Sequence, residues 1–123
     1  MPDEERVYTD AEVSERLARD LPGWSLEAGS IRRRYATHGW KATLMVVTTI
    51  GHLAEAAWHH PDLAVSYGSV EVSLSTHSAG GITDKDLALA RKLDEVVLWR
   101  PGEEDGPFTG TPADQRFAYI KYE

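Results

Sequence analysis

The chain of 123 residues contains no cysteine. This absence excludes disulfide bonds, thiolate zinc sites, iron–sulfur clusters and a cysteine nucleophile. The chain also lacks an apolar run long enough to span a bilayer, and residues 1–5 are acidic rather than apolar, unlike a secretory signal. These absences predict a soluble, cytoplasmic protein with no membrane partner.

Positive charge is also scarce, with 13 Lys and Arg against 20 Asp and Glu and a formal net charge of -7. Such a balance argues against a protein that holds nucleic acid by bulk electrostatics. The hydrophobic content of 41% and charged content of 27% are ordinary for a globular protein, and the length fits one domain with one modest core.

The first periodic segment predicts a helix after Thr9. Thr9 and Glu12 have the spacing of a capping box, and Pro22-Gly23 ends the segment. The apolar residues at helical spacing within it are Val13, Leu17 and Leu21.

Two extended stretches follow, at 24–27 and 31–36, around a predicted hairpin turn at 28–30. Alternation places Ile31, Arg33 and Tyr35 on one face of the second strand, with Arg32 and Arg34 on the other.

A long apolar segment gives the strongest helical pattern. A stripe at steps of four and three comprises Trp40, Leu44, Val47, Gly51, Ala54 and Trp58. The residues that widen it are Met45, Val46, Ile50, Leu53 and Ala57. We expect a helix of about five turns that protein covers well, with both tryptophans in the core and with Pro61 ending it.

After Pro61 the period changes to two, which predicts a half-buried strand at 70–75 and a shorter one at 64–67. Gly80-Gly81 predicts a turn, and Thr83 with Asp86 predicts the start of a last helix. The inward residues of the strand are Val70, Val72 and Leu74, and those of the helix are Leu87, Ala90, Leu93 and Val97.

The order of elements, α-β-β-α-β-β-α, predicts an α+β fold with a four-stranded antiparallel sheet and helices packed on one face. We assign residues 9–98 to this domain and 99–123 to a C-terminal extension of unknown role. Within the extension, 101–107 is predicted to be a loop and 117–122 a strand.

Five histidines are the natural candidates for proton transfer, because imidazole titrates near neutral pH. His59 and His60 adjoin a predicted helix end, His77 follows the well-patterned strand, and Glu55 lies one helical turn before His59. A structural interpretation, in which these are surface or capping residues, stays open and is the one we keep for His38.

A metal site is a second interpretation of the same region. His52, Glu55 and His59 would share a helix face, and two imidazoles with a carboxylate can bind zinc. The spacing is not the His-x-x-x-His of common helical zinc sites, so we expect no metal.

These residues form a long spaced pattern that resembles the signature of the pterin-4a-carbinolamine dehydratases. In order along the chain, the pattern consists of Glu55, His59-His60-Pro61, Tyr67, His77 and Asp86. The segments 21–24, 76–77 and 80–83 agree with the family as well, so the resemblance covers about residues 9 to 98.

The resemblance implies dehydration of a 4a-hydroxytetrahydropterin to quinonoid dihydropterin, without metal or organic cofactor. It implies that His59 and His77 are the acid and base, and that His60 holds the pterin. Glu55 would orient a histidine or bind the pterin, and Pro61 would fix the turn. Further expected substrate contacts are Asp86, which orients a histidine or only caps its helix, and Trp24 and Tyr67, which are pocket wall or core.

Relatives of this kind also suggest other roles: a dimerisation partner of a transcription factor, a RuBisCO assembly factor, or a pterin-related step of molybdenum-cofactor metabolism. The complete histidine set favours catalysis over a purely binding role. The resemblance further implies a homodimer or homotetramer, formed by pairing sheet edges and packing helices.

Overall fold

The computed structural model describes residues 6–114 and 116–122. Three helices and four strands follow one another in the predicted order. Their bounds are α1 Asp10–Asp20, β1 Ser25–Glu27, β2 Ser30–Ala36, α2 Trp40–Ala57, β3 Asp62–Ser66, β4 Ser69–Leu74 and α3 Asp84–Val97. A short 3-10 helix, Pro101–Glu103, follows α3. None of the helices in the described residues has both the length and the apolar character that a membrane span requires.

The four strands form one antiparallel sheet in the order β1-β2-β4-β3. The β1–β2 hairpin turns through Ala28 and Gly29, both at positive φ, as the right-handed twist of a tight hairpin requires. Because β2 and β4 lie at the centre, their inward apolar side chains are fully buried. These are Ile31 and Tyr35 from β2 and Val70, Val72 and Leu74 from β4. The predicted α+β fold, with helices on one face, is therefore confirmed.

Both predicted capping boxes are present. The Thr9 hydroxyl oxygen accepts a hydrogen bond from Glu12 N, and the Glu12 carboxylate accepts one from Thr9 N. Thr83 and Asp86 form the same reciprocal pair at α3. Local side-chain chemistry thus sets where these two helices begin.

The prediction for the buried face of α2 is partly wrong: Val46, Ile50 and Ala54 are buried as expected, but the bulky residues of the stripe are not. The helix buries Ala42, Thr43, Val46, Ile50 and Ala54, whereas the large residues Trp40, Leu44 and Met45 are exposed. The segment is apolar on almost every side, so periodicity alone does not select the arc that meets the sheet. Small and β-branched residues allow the close approach, and the bulky ones remain outside. Trp58 also lies outside the core, with 73% of its surface exposed.

The predicted strand at 117–122 is also wrong. In the part of the chain that the structure describes, this segment makes a single antiparallel bridge, between Thr37 and Ile120. Ala36 O accepts a bond from Lys121 N, and Tyr119 O accepts one from His38 N. Buried Ile120 holds the segment to the core.

The half-buried carboxylate of Asp94 joins α3 to the sheet. Tyr35 donates its hydroxyl proton to Asp94 Oδ1 at 2.6 Å, and Trp24 Nε1 donates to the same carboxylate at 3.2 Å. The rings of Trp24 and Tyr35 meet edge to face. Burial, together with the Asp94 charge, raises the pKa of Tyr35 well above its usual range.

Candidate active site

Helix α2 ends in a turn that separates the two adjacent histidines from the helix. The helix ends at Ala57, earlier than the predicted end at Pro61. His59 N donates to Ala54 O and Trp58 N donates to Glu55 O, which is the Schellman pattern with Trp58 in the left-handed position. The spacing predicts that His59 shares a helix face with Glu55. The structure differs, because His59 lies beyond the end of the helix.

His59 pairs with the fully buried carboxylate of Asp86. The distance from His59 Nε2 to Asp86 Oδ1 is 2.6 Å, and Asp86 has 0% of its surface exposed. Asp86 Oδ2 accepts bonds from Thr83 N at 2.9 Å and from Thr76 Oγ1 at 2.7 Å. Asp86 thus does both things that the sequence left as alternatives: it caps α3 and it orients a histidine.

This network assigns a tautomer to the neutral His59 ring. An ionised Asp86 carries no donor, so the proton of the hydrogen bond belongs to His59 Nε2. Neutral His59 then keeps its lone pair on Nδ1. An imidazole held in this way by a carboxylate is oriented as a proton acceptor.

Thr76 connects the network to the segment that carries His77. Thr76 Oγ1 lies 2.8 Å from Thr83 Oγ1 in addition to its bond to Asp86, and Thr76 N donates to Gly81 O. His77, the next residue, is exposed. His77 therefore directly follows Thr76, which donates a hydrogen bond to Asp86. Convergence of its imidazole with those of His59 and His60 stays a prediction.

His60 has a separate carboxylate partner. Its Nε2 lies 2.9 Å from Glu55 Oε1, and both side chains are at least half exposed. The rings of Trp58 and His60 are perpendicular to each other, with centroids 5.0 Å apart. Glu55 thus contacts a histidine, as one of the two expected roles requires, and the histidine it contacts is His60.

The other predicted contacts lie in different surroundings. Trp24 is a core residue directed at Asp94. Tyr67 is 72% exposed and is therefore not a core residue. It lines a cleft of about 650 Å³ with the start of α2 and residues 116–119. Pro61 is half-buried and directly precedes β3.

Sequence reasoning missed two contributors to this site. The sequence indicates Thr76 only as part of segment 76–77, which agrees with the family. The alternation that buries residues 70, 72 and 74 also turns residue 76 inward. Trp58 was assigned to the core because it continues the apolar stripe of α2. The signal against that assignment was its place just before His59, at the helix end.

The alternative metal grouping of His52, Glu55 and His59 does not form. His59 leaves the helix and turns to Asp86, while Glu55 pairs with His60. Across residues 6–114 and 116–122, no three His, Asp or Glu side chains are grouped closely enough to hold a metal ion.

Residues 6–96 match the profile of the family described as pterin 4 alpha carbinolamine dehydratase. The chain belongs to this family. A provisionally named pterin-4-alpha-carbinolamine dehydratase of Aquifex aeolicus is 47% identical over 92 residues, which are 75% of this chain and 92% of that protein. A relative of the same provisional name in Sulfurisphaera tokodaii is 38% identical over 92 residues, 75% of this chain and 98% of its own.

A solved structure supports the same membership in the dehydratase family. The crystal structure of a transcriptional coactivator/pterin dehydratase from Brucella melitensis superimposes with a TM-score of 0.69 at 30% identity. The match covers 75% of this chain and 99% of that one. The match to the family profile ends at residue 96, and the segment after it lies outside the match.

Proposed function

We propose that the chain dehydrates a 4a-hydroxytetrahydropterin to quinonoid dihydropterin and water. The observation that carries this proposal is the bond between His59 and the buried Asp86, inside a segment that matches the dehydratase family. Neutral His59 acts as the base. Its Nδ1 accepts the proton of the ring nitrogen beside C4a, and the electron pair released forms the new C=N bond.

Hydroxide is a poor leaving group and needs a general acid. Protonated His77 gives its proton to the departing 4a-hydroxyl as the C–O bond breaks, and water leaves. One proton is taken up and one is given, so the two imidazoles end with exchanged protonation states. Solvent then restores them. No electron transfer is required, and no cofactor is expected.

His60 and Glu55 hold the pterin in this scheme. The Glu55 carboxylate holds the His60 ring at 2.9 Å at the rim of the site. Because both groups are well exposed, their pair contributes little to folding stability, which is consistent with a role in binding. Pro61 fixes the turn after the pair.

The direct test follows the decay of a freshly generated 4a-hydroxytetrahydropterin by its ultraviolet absorbance. Wild-type protein is expected to accelerate the decay over buffer and over an equal concentration of an unrelated protein. A decay rate equal to that in buffer would reject the enzymatic proposal.

A second candidate function is binding to another protein, for which the exposed face of α2 is the favouring observation. Trp40, Leu44 and Met45 each expose more than two-fifths of their surface. Apolar patches of this kind mark interaction surfaces. The Brucella relative is called a coactivator as well as a dehydratase.

For the oligomeric state, we propose a homo-oligomer in which this face of α2 packs against a second copy. The edge strand β3 is also unpaired on its outer side within the described chain, with Val65 exposed there. An unpaired strand edge offers backbone donors and acceptors to a partner strand. The supporting features are thus one apolar helix face and one sheet edge.

A further inference from the structure

Trp58 occupies a backbone conformation that suits its residue type poorly. Its φ of 54° and ψ of 46° are left-handed, where the Cβ of a bulky residue is crowded by the backbone. Glycine or asparagine usually fills this position of a Schellman turn. The turn itself therefore gives no reason for tryptophan.

Burial does not compensate for this conformation. The indole is 73% exposed, although an indole is among the largest apolar groups a chain can bury. Its ring is perpendicular to that of His60, at 83° with centroids 5.0 Å apart, and most of the indole surface stays open beside the His60–Glu55 pair. A broad flat aromatic surface is thus left open beside two residues of the proposed site.

Trp58 is joined directly to His59, whose ring is fixed by Asp86. The rigid turn places a flat wall, a held imidazole and a carboxylate-paired imidazole on three consecutive residues. A flat bicyclic ring stacked on the indole would lie next to the His60 ring, whose centroid is 5.0 Å from that of the indole, and next to the residue that carries the held imidazole. Aromatic stacking of heterocycles on indole is a common means of binding them.

From this arrangement, and resting on the proposed function, we propose that Trp58 is the stacking wall that binds the bicyclic ring of the pterin. Trp58 takes no part in proton transfer. It sets the affinity for a flat heterocycle, while His59 and His77 set the rate of the chemical step.

The test compares Trp58→Asn with Trp58→Phe. Asparagine suits the left-handed turn but removes the wall, whereas phenylalanine keeps a smaller wall. We expect Trp58→Asn to weaken binding of a stable oxidised pterin about tenfold in equilibrium dialysis, and Trp58→Phe to weaken it about two- to threefold. In the dehydration assay, KM should rise in parallel, with kcat within about threefold of wild type.

Stability separates this role from a structural one. Trp58→Asn relieves the crowded backbone, so its Tm should rise by about 4 °C while binding weakens. A tryptophan that only supported the fold would show the opposite sign. The matched control is Trp99→Ala, an exposed tryptophan outside the segment that matches the family, which should leave affinity for the pterin unchanged.

Unchanged affinity in Trp58→Asn would overturn the inference. So would a change of oligomeric mass in light scattering that accompanies the loss of affinity, because Trp58 would then be an interface residue. The proposed function can fail separately. If wild-type protein binds the stable pterin through Trp58 but does not accelerate dehydration, the enzymatic proposal is wrong and the binding role of Trp58 stands. If wild-type protein binds no pterin, the proposed stacking role of Trp58 is wrong.

Discussion

At the scale of single residues, Asp86 links folding to the proposed chemistry. Its two oxygens are divided between the start of α3 and the His59 ring. Such a division means that the same carboxylate fixes a helix and an imidazole. A substitution that retains the cap can therefore test the second role alone.

Asp86→Asn is expected to fold and to lose activity. The amide oxygen can still accept from Thr83 N, but the amide nitrogen is a donor and favours the wrong His59 tautomer. We expect kcat to fall by about 100-fold or more, measured in the dehydration assay. Asp10→Asn, in the first turn of α1, is the control and should keep full activity. Equal kcat for Asp86→Asn and wild type would contradict the assigned tautomer.

Tyr35 gives a prediction for stability at alkaline pH. Burial and Asp94 raise the pKa of its hydroxyl in the folded protein, while the unfolded chain ionises near pH 10. Above that pH the unfolded state loses a proton that the folded state keeps. The contribution of Tyr35 to stability is therefore complete below about pH 10 and falls above it, by about 1.4 kcal/mol per pH unit.

The measurement is urea denaturation between pH 9 and pH 11, compared in wild type and Tyr35→Phe. The variant loses the bond to Asp94 and is expected to be less stable at pH 9, but its stability should decline less steeply towards pH 11. Parallel declines in the two proteins would show that Tyr35 is not the responsible group.

At the scale of elements, the sequence pattern was sufficient to predict the structure wherever one local interaction determines it. The capping boxes at Thr9 and Thr83 and the alternation in β4 were predicted because each depends on neighbours within a few residues. The face of α2 was not predictable in this way, since its bulky side chains outnumber the positions that can meet the sheet. The left-handed turn at Trp58 could not be foreseen, because no glycine marks it.

The two capping boxes offer a matched pair of variants. Thr9→Ala is expected to cost about 1 kcal/mol of unfolding free energy and to leave kcat unchanged. Thr83→Ala removes a cap whose hydroxyl also lies 2.8 Å from Thr76 Oγ1. Its cost should be larger, about 2 kcal/mol, and kcat should fall as the Asp86 network loosens.

Urea denaturation and the dehydration assay together test this pair. If both variants lost the same stability and neither lost activity, the Thr83 hydroxyl would be a cap only. The fold would then hold Asp86 without help from the Thr83 hydroxyl.

At the scale of the whole molecule, the apolar face of α2 is a surface that a single chain leaves exposed to solvent. Leu44→Glu places a charge on this face, and burying an unpaired charge between two copies is strongly unfavourable. We expect the mass in solution to fall to that of a smaller species, measured by light scattering across a dilution series. Ala88→Glu, on the exposed side of α3, is the control and should keep the wild-type mass.

A wild-type protein that is monomeric at all concentrations would contradict the proposed homo-oligomer. A wild-type oligomer that Leu44→Glu leaves intact would show that another surface, such as the edge strand β3, forms the contact. Either result would leave the proposed site of a single chain unchanged.

The sequence named the residues of the candidate site but not how they pair, and the place of His77 in that site stays a prediction. His59, His60, His77, Glu55 and Asp86 were all named from spacing and resemblance, because the order of residue types along the chain is itself specific. Their pairing was not, since Glu55 contacts His60 and Asp86 holds His59. Which imidazole takes which carboxylate depends on where the helix ends, and that is decided by backbone geometry at Trp58.

The segment after α3 was the least predictable part. Its single bridge to Thr37 and the burial of Ile120 depend on contacts far apart in sequence. The division of the chain into residues 9–98 and 99–123 therefore stays a prediction.

The proposed mechanism is tested by kcat of wild type, His59→Ala, His77→Ala and His52→Ala in the dehydration assay. We expect losses of about 100-fold or more for His59→Ala and His77→Ala. His52→Ala, an exposed histidine on α2, should behave as wild type. If His59→Ala and His77→Ala kept the wild-type rate, the two imidazoles would not be the acid and the base, and the proposed mechanism would be wrong.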